Sequence, residues 1–260
     1  MTAGGVQIAG ATVAVLLLAG FAAGWVDAVV GGGGLVLLPA LLLVPGMSPL
    51  QALGTNKVAG IMGTSVSAGT YYRRARPDLR TAAPTAVVAL VGAAGGALLA
   101  GALPAAVFRP VIVVALVLVA GYTVARPHVG AATDLRWTGR RHLVAAVTAG
   151  AVIGFYDGLL GPGTGTFLVI ALVAVLGYGF LEASANAKFV NAATNLGALV
   201  VFALQGAPLW KLGLVVGAAN AAGAYLGARM AVAGGNAFVR VVFVVVVTAL
   251  IARLAWTMFA

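Results

Sequence analysis

The chain has no cysteine, five acidic residues and three lysines among its 260 residues. Without cysteine there is no disulfide, no thiolate metal centre and no dithiol redox pair. The two histidines, His128 and His142, flank a charged stretch and form no ligand cluster, so no metal is expected. Charged residues make up 8% of the chain, against roughly 25% in a soluble domain. No Ser–His–Asp set and no carboxylate pair is spaced for hydrolysis, so no catalytic residue, cofactor or enzymatic activity is expected.

What is present is apolar length. Hydrophobic residues make up 62% of the chain and mean hydropathy is +1.11. Several runs reach the ~20 residues needed to cross a bilayer core. They are continuous and not alternating, which excludes a transmembrane β-barrel. The fold class is an all-α polytopic membrane protein. The net charge of +10 does not point to nucleic acid, because the arginines lie at membrane boundaries, where they set topology and meet anionic lipid. The first run, Val6–Val30, lacks a basic leader and recurs later, so it reads as a retained helix.

Ten segments follow. The first half holds Val6–Val30, a short Leu35–Val44, Pro49–Tyr72, Thr81–Gly101 and Val107–Ala125. The second holds Leu143–Leu160, a short Thr166–Leu176, Leu181–Leu204, Leu209–Val232 and Ala237–Met258. The order repeats. Gly20-x-x-x-Gly24 matches Gly150-x-x-x-Gly154, Asp27 matches Asp157, Gly31 matches Gly161, and Lys57 matches Lys188. The organisation expected is a first transmembrane repeat (1–126), a basic cytoplasmic linker (127–142) and a second repeat (143–260), a common plan of secondary transporters.

Two basic clusters, Arg73/Arg74/Arg76/Arg80 and the linker arginines Arg126, Arg136, Arg140 and Arg141, are separated by two segments and should face the cytoplasm together. An odd number of crossings per half makes the halves inverted. If the short segments are re-entrant while segments one and six still cross, the halves run parallel. The charge distribution favours inversion, with eight to ten crossings over the ten segments. Abundant small residues permit close helix packing and a homodimer.

Asp27, Asp157, Lys57 and Lys188 all sit inside apolar segments, where each costs about 2.5–3.5 kcal/mol on insertion scales. The plainer reading is two structural pairs, each tying segment one to segment three of its own half. The sharper reading is a substrate and coupling site. The lysines keep polar company: Thr55 and Asn56 beside Lys57, with Thr64, Ser65 and Ser67 further along, and Asn186, Asn191, Thr194 and Asn195 around Lys188. Spacings of three and four put Lys188, Asn191 and Asn195 on one helix face.

Each aspartate is followed by a glycine break, Gly31–Gly34 or Gly161-Pro162-Gly163-Thr164-Gly165. A helix restarting after such a break presents free N–H groups and a positive dipole end, which suits an oxyanion. Neither break has a dinucleotide context, and Gly54-Thr55-Asn56-Lys57 is not a P-loop. With no ATP site, energy should come from an ion gradient.

The glycine break running into Leu35-Val36-Leu37-Leu38-Pro39, the Gly54-Thr55-Asn56-Lys57 segment, and Asn186-Ala187-Lys188-Phe189-Val190-Asn191 with Asn195 and Phe202 resemble the sulfite exporter TauE/SafE family, also called TSUP. The resemblance runs from about Val6 to Met258. It implies an inner-membrane permease, an exporter of small sulfur-containing anions such as sulfite, thiosulfate or organosulfonates like sulfoacetate. The second break departs from the first through Pro162 and Thr164, so unequal halves are expected.

The expected substrate site is Gly33, Gly34, Thr55, Asn56, Lys57, Gly163, Thr164, Asn186, Lys188, Asn191 and Asn195. Asp27 and Asp157 would pair with the lysines when the site is empty, or one of them would carry a coupling proton. The expected partners are thus the anion, the proton and membrane lipid. The rival readings are a passive anion channel and a non-transporting membrane scaffold.

Overall fold

A computed structural model describes residues 2–3, 6–7, 10–100 and 130–259. The expected segment Val107–Ala125 and the repeat boundary at residue 126 lie outside the described residues. A two-residue antiparallel ladder, Thr2–Ala3 with Val6–Gln7, precedes the helices.

Helix α1 (Gly10–Val30) stops at Gly31, whose φ of +87° a side chain would strain. The short α2 (Gly33–Leu42) follows at once. Helix α3 (Pro49–Arg74) starts at a capping box: Ser48 Oγ accepts from Gln51 N at 3.2 Å, and Gln51 Oε1 accepts from Ser48 N at 2.9 Å. Helix α4 spans Leu79–Ala100. In the second half α5 (Gly139–Leu159) ends just before Gly161, at φ +86°. The short α6 (Thr164–Ala171) runs into a π-helical turn, Leu172–Leu176. Then come α7 (Phe180–Leu204) and α8 (Trp210–Phe259).

The expected segments Leu209–Val232 and Ala237–Met258 are two helices within the run α8, meeting at Gly235 (φ 65°, ψ −163°), a backbone geometry open essentially to glycine alone, so one residue absorbs the change of direction. One expectation needs correction: the linker ends earlier than residue 142. Gly139 already starts α5, and His142 is buried on it, with Nε2 2.9 Å from the Tyr178 hydroxyl.

Among the described residues, α1, α4, α5, α7 and α8 are long and apolar enough to cross a membrane, whereas Gly33–Leu42 and Thr164–Leu176 are short. Helix α3 has the length, 26 residues, but carries the polar series from Thr55 to Ser67. The distribution is inverted relative to a soluble protein. Leu18, Val87, Val152 and Leu204 are exposed, while Thr55, Lys57, Thr166, Ser184 and Lys188 are buried. That is the arrangement a lipid solvent selects.

Helix α1 packs on α8, and α4 packs on α5. Both contacts are close because glycine removes the side chain. A Cβ on Gly24 would enter the carbonyl of Asn220, and one on Gly154 would enter that of Ala89. Helices α3 and α7 pack together, α3 also against α8 and α7 against α4. Near its start α1 shares a cluster with the first turns of α3 and α8, through Leu16, Ala52 and Leu212. Helix α5 starts beside the far end of α3, where Tyr178 O–H donates to Asp78 Oδ2 at 2.8 Å and meets His142. The two helices therefore set out from opposite faces. The same contacts bring Arg73 and Arg74, at the end of α3, to the face where Arg140 and Arg141 begin α5.

Candidate functional site at the crossing of the glycine breaks

The two breaks meet each other. Thr166 N–H donates to Gly31 O at 3.1 Å, and the Thr166 hydroxyl donates to Val30 O at 3.1 Å. A Cβ on Gly31 would enter the backbone of Gly165, so glycine is required for the backbones to touch. Ser184 of α7 steadies the same spot, donating to Val29 O at 3.3 Å.

Each aspartate faces the short helix of its own half. Gly33 N–H points to Asp27 Oδ1 at 3.4 Å, and the Thr164 hydroxyl donates to Asp157 Oδ1 at 2.6 Å. A carboxylate therefore already sits at each helix N-terminus where an oxyanion was expected. Each aspartate pairs with the lysine of the other half, not its own, which corrects the plainer reading. Lys188 Nζ donates to Asp27 Oδ2 at 2.9 Å. Lys57 Nζ pairs with Asp157 Oδ2 at 2.7 Å. Both lysines and Asp157 are fully buried, and Asp27 is 13% exposed.

Between the pairs lies a cavity of about 30 Å³. On the same scale a single water takes roughly 10–15 Å³, so the space is that of a very small solute. Asp27, Gly33, Gly34, Asn56, Lys57, Asp157, Gly163, Thr164, Asn191 and Asn195 line it, all named from the sequence. Three expected residues do not. The Thr55 hydroxyl accepts from Leu209 N–H at 3.0 Å, joining α3 to the start of α8. Lys188 reaches the site only through Asp27. Asn186 is buried away from the cavity, with neither amide atom hydrogen-bonded.

The structure adds Leu37, Gly60, Thr64 and Asn220 to the lining. Asn220 was missed. Its signal is the one amide in the apolar stretch between Lys211 and Arg229 of α8. Its Nδ2 donates to Gly20 O at 3.1 Å, and its Oδ1 occupies the space a Cβ on Gly63 would take. Among the described residues no cluster of metal-ligating side chains is present.

The model of the family described as sulfite exporter TauE/SafE matches residues 16–254. The chain is 40% identical to "Probable membrane transporter protein ORF9" of Sinorhizobium sp. over 93% of this chain and 91% of the relative. It is 35% identical to a "Probable membrane transporter protein" of Haemophilus influenzae, over 94% of each chain. It is likewise 35% identical to "Probable membrane transporter protein YfcA" of Escherichia coli K12, over 93% of this chain and 89% of the relative. No solved structure matches the chain. With apolar helices able to cross a bilayer and polar groups gathered inside them, this chain belongs to the sulfite exporter TauE/SafE family and is a multi-pass membrane transporter.

Proposed function

We propose that the protein is a secondary transporter of a small sulfur-containing anion such as sulfite, thiosulfate or an organosulfonate, driven by an ion gradient. One observation carries the reading: Lys57, Asn56, Asn191 and Asn195 line one cavity together with residues of both glycine breaks. A buried ammonium with amide donors around it suits an oxyanion. The two carboxylates act as stand-ins for the substrate, each held between a helix N-terminus and a lysine. An incoming anion would exchange with a carboxylate that already satisfies those donors. The small volume favours compact anions over extended ones.

The two halves, read as inverted repeats on either side of the basic linker, would rock against one another around this site. Both ion pairs join one half to the other, so each closes the path between them. This supports alternation over a standing anion pore, and over a scaffold with no path at all. The test is uptake of labelled sulfite, thiosulfate and sulfoacetate into proteoliposomes. Accumulation of one of them above its external concentration is the expected result. Flux that only ever equilibrates would make the protein a channel, and no flux of any of the three would remove the sulfur-anion reading.

A further inference from the structure

The inference below rests on the anion site just proposed and identifies the group that couples it to protons. The charged groups at the crossing are Asp27, Lys57, Asp157 and Lys188, and their formal charges sum to zero. No other charged side chain among the described residues lines the cavity. A monovalent anion bound there leaves one negative charge without compensation among buried groups, which is costly. A proton bound with it restores neutrality.

The two carboxylates are not equivalent recipients. Asp27 keeps its partner, because Lys188 lies outside the cavity wall and donates to it at 2.9 Å. Lys57 does form part of the wall, so it is the ammonium an anion engages, and the charge it gives to the anion is withdrawn from Asp157.

Thr164 adds the second difference. Its hydroxyl lies 2.6 Å from Asp157 Oδ1 and 2.8 Å from Gly161 O. It can donate to the carboxylate when Asp157 is charged. It can equally accept from the carboxylic acid while donating to Gly161 O. Asp27 Oδ1 faces the Gly33 N–H, a donor that cannot reverse, and Gly34 stands where the second half has Thr164.

The other titratable groups near Asp157 do not compete. Lys57 comes from α3, and Asp27 with Lys188 lies across the cavity on α1 and α7. The neighbouring Tyr156 hydroxyl is committed to Pro162 O at 2.7 Å. Helix α4, packed along α5, carries no charge beyond Arg80 at its first turn, and α6 carries none.

We propose that Asp157 is the proton carrier: an anion binding at Lys57 releases Asp157, which takes one proton from water and returns it when the anion leaves. The experiment is titration calorimetry of the purified full chain with methanesulfonate, a monovalent anion fully ionised at neutral pH. Each titration is run in two buffers of different ionisation enthalpy, which reads protons taken up per anion bound.

Wild type should take up one proton per anion. Asp157→Asn should bind with none. In the charge-conserving double variant Asp27→Asn/Lys188→Met the ratio should stay at one whatever the affinity. Binding without proton uptake in wild type overturns the proposal. So does uptake that survives Asp157→Asn or vanishes in Asp27→Asn/Lys188→Met, and the wild type and that double variant decide the matter if Asp157→Asn does not fold. If methanesulfonate does not bind to wild type, the substrate reading falls, and this inference with it.

Discussion

Lys188 on α7 donates to Asp27 on α1 at 2.9 Å, across 161 residues of sequence. Lys57 on α3 answers with Asp157 on α5 at 2.7 Å. Each pair joins the first half of the chain to the second, at the point where the two glycine breaks touch. Charge burial, helix interruption and contact between the halves thus coincide in one small volume.

Removing one member of such a pair leaves the other charge buried alone, at a cost of about 3–5 kcal/mol. Asp27→Asn and Lys188→Met should each lower the thermal unfolding midpoint strongly. The double variant Asp27→Asn/Lys188→Met should recover much of that loss, whereas Asp27→Asn/Lys57→Met should not. Recovery by the second combination would mean that the pairs form within each half. Unfolding of the purified variants in one detergent provides the comparison.

Gly31 and Gly161 share a left-handed backbone, φ +87° and +86°, but not a neighbourhood. A Cβ on Gly31 meets the backbone of Gly165, whereas one on Gly161 meets nothing nearer than Asp157 O at 3.6 Å. Gly161→Ala should therefore cost about 1–2 kcal/mol, the ordinary penalty for an L-residue in that region. Gly31→Ala should cost clearly more, because two backbones must separate. Equal unfolding midpoints would contradict the interlocked crossing.

Thr55 and Asn191 separate structure from binding. The Thr55 hydroxyl is the acceptor for Leu209 N–H, so Thr55→Val should cost about 1–3 kcal/mol through a buried unpaired donor. Its effect on anion affinity should be small, since Thr55 does not line the cavity. Asn191→Ala should do the reverse, weakening anion binding by roughly tenfold, the equivalent of about 1.4 kcal/mol. Unfolding midpoints and calorimetric affinities of the two variants, measured together, decide it.

Asp78 gives a pH prediction away from the membrane core. Burial raises its carboxyl pKa, but hydrogen bonds from the Thr81 and Tyr178 side chains outweigh this and hold it below the ordinary range. A depressed carboxyl stabilises the fold above its unfolded value, about 3.9. That contribution is lost as pH falls through the lower folded value. Asp78→Asn should be less stable than wild type at neutral pH, and the gap should close below about pH 4. A gap that stays constant down to acid pH would show that the carboxylate charge contributes nothing there.

Much of the site was legible because charge is rare in this chain. Two aspartates and two lysines in apolar runs stand out at once, and glycines clustered beside the aspartates mark where helices stop. What the sequence withheld was orientation. Thr55 and Asn56 are neighbours, yet successive helix positions point about 100° apart, so only Asn56 reaches the cavity.

Pairing was withheld for the same reason. Matching positions within one half look like partners, and only the contact of Gly31 with Gly165 brings each aspartate to the opposite lysine. Asn220 has no polar neighbour in sequence to mark it, and its role depends on the bare surface of Gly63 across the helix contact. The break at Gly235 is legible in the sequence, because a glycine pair and a polar residue stand together there.

The central claim is that a sulfur anion binds at Lys57 in the crossing cavity. The most direct measurement is the thermal stability of the purified protein against sulfite, thiosulfate, sulfoacetate, sulfate, phosphate and chloride, with Lys57→Gln measured alongside. A ligand at one hundred times its dissociation constant adds about 2.7 kcal/mol. The account predicts a rise in midpoint with at least one of sulfite, thiosulfate and sulfoacetate, none with chloride or phosphate, and loss of the rise in Lys57→Gln. A rise of equal size in folded Lys57→Gln, or no rise with any sulfur anion, would contradict it.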